Sequence, residues 1–206
     1  MKKILTIAVM TIVFAANGFA QDYTLGVRVG MNVANILNYT NDSDAKLGLK
    51  AGIVGCFPLA DNIWLEPGIY YSPKGTKHEW NVQGTNCKNV CNLNYLEIPI
   101  NGVYKYDINS NLTVRGHFGP YFGFGMYGKT KYEEDGKVIS KVKNFSSKSG
   151  NNNYNQFDCG LNLGAGIEFS ICYLGVQYGI GLTKINKYGD DKMRNGVFAV
   201  EFGVNF

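Results

Sequence analysis

The stretch Phe157-Asp158-Cys159-Gly160-Leu161-Asn162-Leu163-Gly164-Ala165-Gly166-Ile167-Glu168-Phe169 decides the fold. Its odd-numbered residues are all apolar, and its even-numbered ones are glycine, an amide or an acid. A period of two puts these classes on opposite faces of a β-strand. The neighbouring segments repeat the pattern. Leu174, Val176, Tyr178, Ile180 and Leu182 oppose Tyr173, Gly175, Gln177, Gly179 and Gly181. Phe198, Val200, Phe202, Val204 and Phe206 oppose Ala199, Glu201, Gly203 and Asn205. Near the start, Tyr23, Leu25, Val27, Val29, Met31 and Val33 oppose Thr24, Gly26, Arg28, Gly30 and Asn32.

Extended along the chain, the alternation predicts eight strands: 22–33, 47–57, 62–73, 92–106, 111–127, 156–169, 172–183 and 196–206. Short connections (58–61, 107–110, 170–171) alternate with longer polar ones (34–46, 74–91, 128–155, 184–195). In an antiparallel meander all short links fall at one end and all long ones at the other. That asymmetry, with periplasmic turns and extracellular loops, belongs to small outer-membrane barrels. The expected fold is therefore all-β: an eight-stranded antiparallel up-and-down transmembrane β-barrel with both chain ends in the periplasm.

A soluble sandwich or a lipocalin gives the same alternation with the apolar face turned inward. Two features favour the membrane arrangement. The polar face is rich in glycine, which suits a crowded narrow lumen better than a solvated exterior. Aromatic residues also gather near strand ends on the apolar face: Tyr23, Phe57, Tyr106, Phe169 and Phe206 at the turn end, Tyr71, Phe124, Tyr178 and Phe198 at the loop end. Amphipathic rings favour the two membrane interfaces, and strands of about 10 tilted residues reach between them. An open sheet edge in lipid would strand backbone amides, so the sheet must close.

Eight strands enclose an interior that side chains just fill. The expected lumen network is Arg28, Lys50, Glu66, Glu97, Arg115, Asp158, Glu168 and Glu201, accompanied by Asn32, Asn101, Asn162 and Gln177. Buried charges persist only when paired and hydrogen-bonded. A proton or ion path and a packed polar plug are both conceivable; the plug is favoured because so narrow a lumen holds no aqueous channel.

Met1-Lys2-Lys3, the apolar run Ile4–Phe14, and Gly18 and Ala20 ahead of Gln21 form the three regions of a secretory signal. The run is short for a membrane anchor helix. The expected organisation is a signal peptide over 1–20 and one barrel domain over 21–206. Losing residues 1–20 removes Lys2 and Lys3 and no acid, so 20 basic residues become 18 against 16 acidic ones, a net +2. Bulk charge this even gives no reason to expect nucleic acid as a partner.

Taken in order, Gly26-Val27-Arg28-Val29-Gly30-Met31-Asn32, Leu65-Glu66-Pro67-Gly68-Ile69-Tyr70-Tyr71-Ser72-Pro73-Lys74-Gly75, Tyr95-Leu96-Glu97-Ile98-Pro99-Ile100, Gly119-Pro120-Tyr121-Phe122-Gly123 and the ending Glu201–Phe206 run through most of the chain. Together they resemble the PorT-type outer-membrane β-barrel domain, a family of small barrels often labelled porins. The resemblance implies a Gram-negative outer-membrane protein, set in the lipid bilayer beside lipopolysaccharide. It implies no shared catalytic residues, because a barrel alone fixes no chemistry. Some relatives serve the type IX secretion system. Phe202, Val204 and Phe206 also resemble the signal read by the barrel-assembly machinery, although any lipid-facing last strand is apolar.

The remaining groups carry little chemistry. Cys87 and Cys91 fall in the second long connection and are expected to form a small disulfide ring, since exported chains meet an oxidising compartment. Zinc is the weaker reading, with His78 the one imidazole nearby. Cys56, Cys159 and Cys172 are expected as small apolar or lumen residues. His117 falls on the lumen face near Arg115, but the strand register sets no serine beside it. No catalytic residue, cofactor or metal is expected. The third long connection carries Lys129, Lys131, Glu133, Glu134, Asp135, Lys137, Lys141, Lys143 and Lys148. Binding of a host protein or lipopolysaccharide and plain solvation both fit it. Its inner part is expected to prolong the strands and to turn at Glu134-Asp135-Gly136-Lys137.

Overall fold

The computed structural model describes residues 23–39, 43–145, 154–188 and 191–206. The export segment expected at 1–20 lies outside them. The described chain is all antiparallel β: β1 (Thr24–Leu37), β2 (Ser43–Ala60), β3 (Ile63–Val82), β4 (Thr85–Asn109), β5 (Leu112–Glu134), β6 (Lys137–Lys143), β7 (Phe157–Phe169), β8 (Cys172–Gly181) and β9 (Arg194–Asn205).

Hydrogen bonding runs β4-β3-β2-β1-β9-β8-β7-β5, and the β4–β5 ladder closes the ring at eight strands. The ninth, β6, pairs with the outer part of β5 and lies outside the ring. First and last strands meet directly, from Gly26↔Asn205 to Leu37↔Arg194, and Leu25 and Phe206 exchange both backbone hydrogen bonds. Closure leaves the ring without an edge.

The faces fall as the alternation predicts. Leu49 (74% exposed), Leu163 (64%) and Phe169 (61%) point outward, whereas Asn32 and Asp158 (0%) and Arg115 (1%) point inward. A lipocalin-like inversion is thereby excluded, since the apolar face is the outer one. Aromatic rings mark both ends of this outer band. Tyr23 stacks near Phe57 at the turn end. At the loop end Tyr71 stacks near Tyr127 and bonds it through the two hydroxyls at 2.8 Å, and Phe124 meets Phe157.

The loop end departs from expectation. Residues 74–91 are not a loop, because β3 and β4 continue as a paired hairpin to Val82 and Thr85. Gln83 and Gly84 turn it with φ of 50° and 91°, and Asp135-Gly136 turns β5 into β6 with φ of 44° and 77°. Both are the left-handed two-residue turns that suit the twist of a hairpin. The turn expected at Glu134–Lys137 is thus found. Strand β4 has 25 residues and β5 has 23, far more than a crossing needs, so β3 to β6 project beyond the ring as a sheet. Alternating hydrophobicity stops where the outer face becomes wet, although backbone pairing continues. For that reason the strand ends did not show in the sequence pattern.

Candidate functional site

The lumen face carries successive clusters of paired side chains from the turn end to the loop end. At the turn end Arg115 lies 2.7 Å from Glu66 and 2.8 Å from Glu168. Arg28 approaches Glu66 at 3.9 Å, and Lys105 pairs with Glu168 at 2.9 Å. The Tyr173 ring lies under both guanidinium groups, 4.3 Å from Arg28 and 5.1 Å from Arg115. At mid-height Lys50 meets Glu201 at 2.6 Å with the Tyr70 ring 4.3 Å away. His117 shares a 3.1 Å hydrogen bond with Gln177.

Towards the loop end, Lys74 pairs with Glu97 at 2.7 Å and Asp158 at 3.1 Å. Asp158 also accepts hydrogen bonds from Asn195 (2.8 Å), Thr183 (3.1 Å) and Tyr121 (3.2 Å). Above this centre the inward face turns apolar. Ile36, Cys91, Leu93 and Tyr95 from the strands pack with Phe145, Tyr154 and Ile185 from the connecting segments. The ring's loop-side mouth is therefore stoppered by a small hydrophobic core.

All eight residues predicted for the network are buried and inward. Two were missed, Lys74 and Lys105. With them the lumen holds, among the described residues, five cations (Arg28, Lys50, Lys74, Lys105, Arg115) and five carboxylates (Glu66, Glu97, Asp158, Glu168, Glu201), each cation facing a carboxylate. Lys105 was legible, since it shares parity with Glu97 and Asn101. Lys74 follows Pro73, where the period of two fades although β3 continues to Val82. Phe145 and Ile185 carried no periodic signal at all.

Glycine supplies the room that these side chains occupy. A Cβ at Gly164 would collide with the His117 ring and the Val176 carbonyl, and one at Gly203 would meet the Arg28 side chain. The crowding expected of a glycine-rich inner face is thus present as atomic contact.

The expected Cys87–Cys91 ring is corrected. Both cysteines lie on β4 and are free. Four residues of extended strand separate them by about 13 Å, and a disulfide needs Cα atoms within about 7 Å. Cys91 is instead part of the apolar stopper. Cys56 is buried inward, and Cys172 is exposed on the outer face. Phe202 and Phe206 are exposed on the outside, with Phe202 paired to Val29.

An apolar outer band, two aromatic rows and a charge-neutral packed interior define an outer-membrane β-barrel class of protein. The chain belongs to the family described as the Outer membrane protein beta-barrel domain, which it matches over residues 19–187. Among solved structures it is similar to Ail, the attachment invasion locus protein of Yersinia pestis, with 13% identity, 90% of this chain and 100% of that one covered, and a TM-score of 0.46. Neisserial surface protein A shows 15% identity over 89% and 96% of the two chains, TM-score 0.42. The N-terminal barrel domain of Pseudomonas aeruginosa OprF shows 11% identity over 90% and 98%, TM-score 0.41. No curated protein sequence matches.

Proposed function

We propose that the chain is a non-enzymatic, eight-stranded transmembrane barrel of the outer membrane, with a sealed lumen, that supports the envelope or binds at the cell surface. One observation carries this reading. The interior is filled by mutually neutralised ion pairs under an apolar stopper, while β3 to β6 project as an ordered sheet beyond the aromatic row. A barrel that conducts needs an open polar path; one that acts through its surface needs an exposed scaffold. The signal over 1–20 exports the chain, and both ends of the barrel, 21–206, sit in the periplasm with the tight turns. The bilayer and lipopolysaccharide surround it. The apolar row Phe202, Val204, Phe206 is what the assembly machinery reads.

The PorT-type resemblance supports a second reading as a transport or secretion-accessory barrel, since some of those relatives serve type IX secretion. A deletion strain separates the two: cargo retained in the periplasm favours the accessory role.

The first test is a gel of isolated outer membranes, unheated and boiled. A closed barrel resists SDS until boiled, so a heat-dependent mobility shift is expected. Planar bilayers then ask about the lumen, and the expected trace is silent. Discrete conductance steps from the wild-type protein would overturn the sealed-lumen reading.

A further inference from the structure

The β5–β6 hairpin holds an arrangement that is unfavourable by itself. The register sets Lys129 opposite Lys143 and Lys131 opposite Lys141. Residues directly opposite in an antiparallel pair share a face with Cβ atoms about 5 Å apart, and like charges so placed are destabilising. The four lysines therefore leave the strand pair as a two-by-two block on one face. The face is the outer one, because the intervening Thr130 is buried inward and bonded to Asn144. Among the described residues, the surface ion pairs of this region join Lys77 to Asp44 and Lys88 to Glu79, and none includes the four lysines. The acid that borders them, Glu133, lies opposite Lys88 in the β4–β5 ladder.

Height supplies the second observation. Tyr127 belongs to the loop-side aromatic row, and Lys129 and Lys131 follow it on β5 by two and four residues. At about 3.4 Å per residue and a tilt near 45°, they stand about 5 and 10 Å above that row. The polar headgroup layer occupies about 5–8 Å beyond the hydrocarbon on each side. The Lys129–Lys143 pair therefore stands at the level of that layer and the Lys131–Lys141 pair at its outer rim, all four on the sideways-facing outer surface.

We propose that Lys129, Lys131, Lys141 and Lys143 form a docking patch for the phosphate groups of the surrounding outer-leaflet glycolipid. This rests on the membrane reading above. Phosphate oxygens between two lysine pairs neutralise the repulsion that the hairpin alone leaves standing, and long lysine stems place the charge at the headgroup level. The patch tethers the projecting sheet to the leaflet on one side of the barrel.

The test uses the mature chain refolded into phosphatidylcholine vesicles, alone or with a minor fraction of diphosphoryl lipid A or of its dephosphorylated form. The readouts are the temperature at which the heat-modifiable band converts and the amount of lipid A that copurifies. Diphosphoryl lipid A should raise the conversion temperature, and high salt should remove the gain. The variant with all four lysines changed to Gln should lose the gain and capture at least about ten-fold less lipid A. Changing all four to Arg should retain both effects. Lys137→Gln should behave as wild type, because Lys137 lies opposite Glu134. Equal capture by the four-Gln variant overturns the patch. So does an equal gain from inorganic phosphate, which would indicate a site for free anions, or from polyglutamate, which would indicate an acidic protein partner. A band that forms in all vesicles without preference overturns the patch alone. Failure of every variant to give a heat-modifiable band overturns the membrane reading and the patch with it.

Discussion

Lys74 of β3 reaches across the lumen to Asp158 of β7, its ammonium 3.1 Å from the carboxylate, although the two strands are not neighbours in the ring. Both side chains are essentially without solvent contact, at 2% and 0%. Such a link holds opposite walls together. It also closes the lumen just beneath the apolar stopper, because Glu97, Tyr121 and Asn195 converge on the same two groups.

Lys74→Met should destabilise the folded barrel by about 3–5 kcal/mol, since it leaves Glu97 and Asp158 buried without their cation. The conversion temperature of the heat-modifiable band should fall. Adding Glu97→Gln and Asp158→Asn to that variant should recover most of the loss, because the uncompensated charges are then gone. A triple variant no more stable than the single one would show that the pair acts by geometry and not by charge.

Gly164→Val tests the crowding of the lumen. The added side chain meets the His117 ring and the opposite backbone, and overpacking of this kind costs about 1–3 kcal/mol. The folded fraction on refolding should drop. The double variant Gly164→Val with His117→Ala should regain part of it.

All five cysteines should be free thiols. Mass spectrometry of unreduced protein should show no loss of two hydrogens, and reductant should not shift the unheated band. Half-exposed Cys87 should react with a maleimide faster than buried Cys91. A ring joining the two requires β4 to be broken between them.

The Glu79–Lys88 pair on the projecting sheet should behave differently from the lumen pairs. The ions lie 2.8 Å apart and both side chains are substantially exposed. The hydrogen bond and charge of Lys88 hold the Glu79 carboxyl below its ordinary value. Its contribution is therefore present above the ordinary glutamate range and is lost as pH falls through the lowered folded value. Solvent screening keeps that contribution small. Lys88→Ala should return the Glu79 titration, followed by NMR, toward the ordinary carboxylate range with no measurable change in conversion temperature.

Much of this protein was legible residue by residue. Strand β7 alone showed two faces, and parity assigned Arg28, Glu66, Arg115 and Glu201 to the interior before any pairing was known. Parity works because a strand has a strict period of two, and because lipid and lumen demand opposite chemistry on its faces. The pattern faded beyond Pro73 and Tyr127, where both faces of the sheet are wet or locally packed, so the long hairpins and Lys74 were hidden. Tertiary structure alone decided which cation meets which carboxylate. Lys74 and Asp158 are 84 residues apart, and only ring closure and register set them within reach. It alone also brought Phe145, Tyr154 and Ile185 from irregular segments over the mouth, since packing without a repeat leaves no trace in the order of residues.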